Sequence, residues 1–217
     1  MYQFIKQGLL SFLNRNKSDY YVVDGILDPL VCEELIQEIK FQCNSDSIAT
    51  LAQSGGGDKR IFNFQSQKHQ SLLNSIALMH CPKDSWLAFP MANWLDGTLA
   101  TDGSGEGWHR DSWFGQRKLL IYLTNCTDNN GPFQYVNNSN TMFSKIKYAL
   151  TGQSDRISKE PNMNNVKTFI QNKGTGISFD ASGAHRGKPP TSGERVAITF
   201  YYFSSSYKRD LVFSKFN

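Results

Sequence analysis

The chain has 217 residues, 39% of them hydrophobic and 13% aromatic, enough to bury a sizeable core in one large domain. Its 23 basic and 19 acidic residues leave a net charge of +4, spread without like-charge runs or a basic helix, which argues against a nucleic-acid surface. No stretch approaches the ~20 apolar residues of a membrane span, and Cys32, Cys43, Cys81 and Cys126, widely spaced and without a secretory leader, read as reduced thiols of a cytoplasmic protein.

At the N-terminus Phe4, Ile5, Leu9, Phe12 and Leu13 recur at roughly helical spacing, but Lys6, Gln7, Asn14 and Arg15 break any leader-like apolar run, so residues 1–16 read as a packing helix. Tyr20 to Val23 has strand character. Asp28 as a cap and Pro29 at the first helical position then open a helix to about Gln42, with Val31, Leu35, Ile36 and Ile39 as its buried stripe. Residues 46–59 are mostly polar and carry Gly55, Gly56 and Gly57 without the Gly-Lys-Ser/Thr ending of a phosphate loop, so they read as a loop or lid. Arg60 to Phe64 predicts a short strand. Ser66 to about His80 predicts a helix that turns Leu72, Leu73, Ile76 and Met79 inward. His69 and His80 belong to that helix and, with no acidic or histidine partner at ligand spacing, read as surface or capping histidines.

From Ser85 onward short apolar runs alternate with Gly, Asp, Asn and Pro clusters, the pattern of many antiparallel strands. Strands are predicted near 86–95, 106–113, 117–124, 132–137, 166–170, 175–180 and 195–203, with a helix over 141–150 and a polar loop over 152–165. Without repeats or a low-complexity linker, residues 1–84 form a helical layer on a β core of residues 85–205, one domain over 1–217.

Chemistry enters at Gly107-Trp108-His109-Arg110-Asp111. On a strand, His109 and Asp111 point to one face, as two ligands of a metal would. The third ligand is expected at His185, just past a predicted strand and beside Gly183 and Gly187, which let the backbone approach closely. Two histidines and a carboxylate suit non-haem Fe(II) and leave positions open for a bidentate co-substrate and dioxygen. Ten residues on, Arg195 begins a mostly apolar run, where a buried guanidinium calls for a carboxylate; gripping one through two parallel hydrogen bonds is what its planar fork does best. His-x-Asp alone is a weak signal, and an exposed strand-end arginine is the plain alternative for Arg195. The order His109, Asp111, His185, Arg195 is much more specific.

These residues resemble the Fe(II)- and 2-oxoglutarate-dependent oxygenases of the phytanoyl-CoA dioxygenase family over most of the chain. Tyr21 to Asp28 followed by a helix is similar to the family's N-terminal entry, Trp108-His109-Arg110-Asp111 to its first metal motif, and Asn130 to Asn140 to the strand and turn that usually end in Pro-Gly-Ser-His. The resemblance implies a mainly β, double-stranded β-helix (jelly-roll, cupin-like) with N-terminal helices packed on the sheet. It implies His109, Asp111 and His185 as iron ligands and Arg195 as partner of the distal 2-oxoglutarate carboxylate. It further implies co-substrate contacts for Tyr122 and Arg60, for which a core aromatic and a solvated loop arginine are the simpler readings. Glu106 and Phe133 stand where several relatives have Gln and Thr, and Asn137-Asn138-Ser139-Asn140 replaces the usual turn with asparagines that supply turn chemistry of their own.

The implied activity is hydroxylation of a small-molecule or carrier-linked metabolite with Fe(II), 2-oxoglutarate and O2, and without nucleic-acid or membrane partners; oligomeric state stays open. With Asp111 present, no halide position is vacated at the metal, which favours hydroxylation over halogenation. Two other readings remain: a metal-dependent hydrolase or cupin-like protein without 2-oxoglutarate, for which Arg195 has no interior role, and a non-catalytic module binding a carbohydrate or carrier-linked ligand through Trp94 and Trp113. Core packing is the alternative for those tryptophans. Arg110, Trp113 and the loops 46–59 and 152–165 are candidates for the substrate mouth.

Overall fold

A computed structural model describes residues 19–45, 57–97, 107–112, 115–150, 157 and 160–206. The predicted helix over 1–16, most of the 46–59 loop, Glu106, Trp113 and part of the 152–165 loop lie outside the described residues. The described chain is mainly β. Its strands are β1 (Tyr20–Val23), β2 (Asp58–Ile61), β3 (Ser85–Asp96), β4 (Gln116–Tyr122), β5 (Phe133–Val136), β6 (Val166–Phe169), β7 (Gly176–Asp180), β8 (His185–Gly187) and β9 (Glu194–Ser204). Its helices are α1 (Pro29–Cys43), α2 (Gln67–Met79) and α3 (Met142–Leu150). None of the four cysteines is in a disulfide, and no helix among the described residues is long and apolar enough to cross a membrane.

The helices start where local chemistry says they should. Asp28 accepts from the Leu30 amide at 2.8 Å with Pro29 at the first position of α1, and the Ser66 hydroxyl accepts from the His69 amide at 3.4 Å to cap α2. On α1, Cys32, Leu35, Ile36, Ile39 and Cys43 are buried, and on α2 Leu73, Ile76 and Ala77. Each large side chain so buried contributes roughly 1.5–3 kcal/mol.

All strand pairs are antiparallel, forming a six-stranded sheet in the order β1-β7-β4-β9-β3-β2 and a three-stranded sheet in the order β6-β5-β8. Period-two alternation divides the large sheet into two unlike faces. On β9, Val196, Ile198, Phe200 and Tyr202 pack with α1 and α2, joined by Leu119 and Ile121 of β4 and Ala92 of β3. The opposite face turns Leu120, Tyr122, Ile177, Phe179 and Ala197 toward Phe133, Tyr135 and Phe169 of the small sheet. Register places Asp58, Arg60, Asn93, Lys118, Arg195, Thr199 and Tyr201 on this same inner face.

Three sequence expectations change. The strand predicted over 106–113 is, in its described part, one bridge between His109 and His185, because Gly107 turns the backbone with φ +88° and the Asp111 amide leaves the pairing for Ala181 O. The strand predicted over 60–64 lies at Asp58–Ile61, so Asp58 and Lys59 belong to a strand rather than the loop. His185 follows β7, as expected, but also begins a short strand of its own, β8, which pairs with β5.

Candidate metal centre

His109 and His185 face each other as an antiparallel pair. Each backbone amide donates to the other's carbonyl at 3.0 Å, and the imidazole centroids lie 4.5 Å apart. Each Nδ1 is held in the same way, donating to the carbonyl two residues upstream: Gly107 O at 2.8 Å and Gly183 O at 2.9 Å. A carbonyl only accepts, so the proton sits on Nδ1 and the Nε2 lone pair points away from the backbone. Asp111 completes the cluster, with Oδ2 2.9 Å from His185 Nε2 and Oδ1 3.8 Å from His109 Nε2. The three ligand atoms lie within 4.8 Å of one another, the one such His/Cys/Asp/Glu group among the described residues.

Two lone pairs and a carboxylate repel unless a cation lies between them, so this donor set fits a divalent ion. Phe179, Phe133 and Tyr135 surround the His185 ring at centroid distances of 5.0, 5.8 and 6.5 Å. Burial, and then His185, push the His109 imidazole down to about 3. Burial alone would raise the Asp111 carboxyl, but Lys118 and then His185 outweigh it and hold it well below the usual carboxylate range. Asp111 is also the most open of the three side chains, at 23% exposure.

Arg195 is 2% exposed on the inner face of β9. Its partners among the described residues are neutral: Nη1 donates to Gly131 O and Nη2 to Asn93 Oδ1 at 3.1 Å, while Nε has none. Arg60 points to the same face and pairs with buried Asp58 at 2.7 Å, and Asp58 also accepts from Asn93. Arg60, Asp58, Asn93 and Arg195 thus form a connected row holding two cations and one carboxylate. Arg60 is no solvated loop residue; its side chain is 15% exposed.

Tyr122 is fully buried with its hydroxyl engaged on both sides, donating to Phe169 O at 3.1 Å and accepting from the Phe133 amide at 2.9 Å. It ties the large sheet to β5 and β6 of the small one, which is the core-aromatic arrangement. Arg110, offered by the sequence as a lining residue, is buried and donates to Ser139 O at 2.7 Å and Ser182 O at 2.5 Å, joining the two turns behind the cluster. Trp94 lies on the helix-covered face, its indole donating to Glu194 at 2.9 Å with Lys40 and Lys59 against its ring, away from the inner face. His69 is neither a surface nor a capping residue: it is buried between α1 and α2, its Nδ1 against Glu38 and its Nε2 3.5 Å from Glu34. His80 does end α2, as its C-terminal cap.

Lys118, like Asp58 and Asn93, is a site residue that the sequence does not single out. It is 6% exposed, with Nζ 2.8 Å from Asp111 Oδ2 and 4.2 Å from the centre of the Tyr201 ring. Burial lowers its pKa, but Asp111 and Tyr201 more than offset that and raise it above the usual ammonium value. The signal was its parity: in Lys118-Leu119-Leu120-Ile121-Tyr122 it shares a face with Leu120 and Tyr122.

No family model matches the sequence, and neither does any curated protein. Solved structures do match in fold. HygX from Streptomyces hygroscopicus with nickel and 2-oxoglutarate bound is 13% identical, with a TM-score of 0.63 over 92% of this chain and 88% of that one. The epimerase SnoN in complex with Fe3+, alpha ketoglutarate and nogalamycin RO is 12% identical, with a TM-score of 0.65 over 98% and 89%. AviO1 from Streptomyces viridochromogenes Tue57 is 16% identical, with a TM-score of 0.63 over 92% and 96%. At such identities the likeness is one of fold.

Proposed function

We propose that this protein is a non-haem Fe(II)- and 2-oxoglutarate-dependent oxygenase, a single-domain double-stranded β-helix akin to the phytanoyl-CoA dioxygenase family, that hydroxylates a small-molecule or carrier-linked metabolite. The observation that carries the reading is that one interior face holds both a His-Asp-His cluster and a buried arginine without a carboxylate partner among the described residues. A buried cation satisfied only by neutral acceptors is costly, and an anionic ligand relieves it. The structural neighbours described with 2-oxoglutarate support the choice of anion.

His109, Asp111 and His185 would hold the metal, and Arg195 the far carboxylate of the co-substrate, with Asn93 orienting its guanidinium and Asp58 holding Arg60 beside it. Bound there, Fe(II) with 2-oxoglutarate supplies oxidation of an unactivated C–H bond by O2, with succinate and carbon dioxide released alongside the alcohol. Each Nδ1–H is tied to a backbone carbonyl, which leaves Nε2 of both rings turned toward where the metal would sit, and burial disfavours the charged form of His109. Phe133 and Phe179, packed against the His185 ring, would exclude water from that side of the site. The open side, beside Asp111, is where the substrate would enter.

Anaerobic addition of Fe(II) and 2-oxoglutarate to the apoprotein tests this. A visible charge-transfer band is expected in the wild type and absent in Asp111→Ala; no band in the wild type sinks the oxygenase reading. Because one structural neighbour is described as an epimerase, product analysis should score stereoinversion beside hydroxylation.

A further inference from the structure

The Asp111 carboxylate is approached from two directions. Its Oδ2 lies 2.8 Å from Lys118 Nζ and 2.9 Å from His185 Nε2, whereas its Oδ1 is turned toward His109. Lys118 cannot easily move away. It stands on the inner face of β4, paired across the sheet with Tyr201 of β9, and its ammonium rests over the Tyr201 ring at 4.2 Å. At 6% exposure it has little water to turn to, and Asp111 is its one ion-pair partner among the described residues. An apolar side chain at this position would avoid the cost of burying a charge, so the retained ammonium needs a role.

A carboxylate can bind a metal through one oxygen or both, and the choice fixes how many positions stay free. If an octahedral ion takes one atom from each of three residues, three positions remain, enough for a two-atom chelate and one small molecule; a second oxygen from the aspartate would remove one of them. We propose that Lys118 is a positioning residue that engages one oxygen of Asp111 and so holds it to single-oxygen ligation, keeping an additional metal position open. The inference rests on the metal reading of the His109-Asp111-His185 cluster but not on 2-oxoglutarate. It concerns the carboxylate, the one ligand of the three whose orientation is set by a side chain rather than by the backbone.

The test counts water on a bound ion. Mn(II)-loaded wild-type protein, without co-substrate and in 17O-enriched water, should show three exchangeable water ligands by electron–nuclear double resonance. Lys118→Met should show the loss of one as Asp111 turns both oxygens to the metal, and Lys118→Arg should restore it. Two waters in the wild type, or three in Lys118→Met, overturns the inference. Should Lys118→Met not fold, the wild-type count still decides, and Lys118→Gln, polar but uncharged, repeats the comparison. Failure of the wild type to bind Mn(II) at all refutes the metal reading itself, a result distinct from a wrong water count on a bound ion.

Discussion

Replacing Gly183 by alanine asks whether the turn that carries His185 is held in place by contact. Gly183 does not have a positive φ, so conformational freedom is not the reason for a glycine here; space is. A Cβ at this position would overlap the Tyr135 hydroxyl and the end of its ring. Tyr135 is fully buried, packs edge-on with Tyr20 at 5.6 Å, and donates to Asp180 O at 3.0 Å, so it has nowhere to swing. Overpacking costs about 1–3 kcal/mol, and loss of the Tyr135 hydrogen bond adds about 1 kcal/mol. The expected destabilisation is therefore about 2–4 kcal/mol by urea unfolding, or roughly 4–16 °C in Tm for a chain of this size. Because Gly183 O also accepts the His185 Nδ1 proton, divalent-metal affinity should fall about 10–100-fold. Tyr135→Leu shortens the obstructing side chain, so in that background Gly183→Ala should cost little more, giving a coupling energy near the full single-mutant cost. Equal costs in both backgrounds, or a cost below about 0.5 kcal/mol in the wild type, would refute the steric argument.

Arg195→Ala should leave Mn(II) affinity near the wild-type value while weakening 2-oxoglutarate binding about 150–4,000-fold by calorimetry, the loss expected for breaking a buried charge pair worth about 3–5 kcal/mol; unchanged co-substrate affinity reassigns the clamp. Apoprotein stability should fall as pH drops from about 6.5 toward 3, because the unfolded His109 ring takes up a proton near 6.5 while the folded one resists until about 3. Asp111, also depressed, adds loss in the same direction at lower pH. The His109 slope approaches about 1.4 kcal/mol per pH unit. His109→Asn should flatten it, and parallel curves for variant and wild type in urea titrations would count against a neutral buried His109. Trp94→Phe should lower stability by about 1 kcal/mol through loss of its bond to Glu194 while leaving metal and co-substrate affinities unchanged; an effect on ligand affinity would revive the aromatic binding-module reading.

What could be read from the sequence follows the range of the interactions involved. Capping at Asp28 and Ser66 is decided within three residues, so α1 and α2 begin where local rules put them. Apolar runs bounded by Gly, Asp, Asn and Pro clusters located β3, β4, β7 and β9, whose buried side chains pack against the helices, against the second sheet or against both. The same rule failed at 106–113, where His109 and Asp111 come together by opposite routes: one bridges to His185 while the other turns off to Ala181. Long-range partners stayed hidden. Glu38 meets His69 across a helix pair, 31 residues away, and no spacing within either helix announces it. Asn93, inside the apolar run of β3, is apparent as a site residue only once Arg195 and Asp58 are seen on either side of it.

Two copies of one short pattern explain why the histidines need so little from their neighbours. Gly107-Trp108-His109 and Gly183-Ala184-His185 each return the imidazole proton to the glycine carbonyl, each exchange backbone hydrogen bonds with the other, and each bury their middle residue in one shared cluster with Val136 and Ile157. Ring tautomer and ring separation are therefore backbone properties. Nearby side-chain substitutions that leave the main chain in place should not change which nitrogen of each ring faces Asp111. Asp111 is different, since its carboxylate is met by a side chain, the Lys118 ammonium 2.8 Å from Oδ2. The histidines and Asp111 should respond differently to substitution: changes around the histidines that spare the backbone act on stability first, whereas, on the role proposed for Lys118, changes around Asp111 act on how many positions a bound metal would offer. Variation in reactivity on this scaffold is therefore expected to concentrate on the Lys118 side of the site.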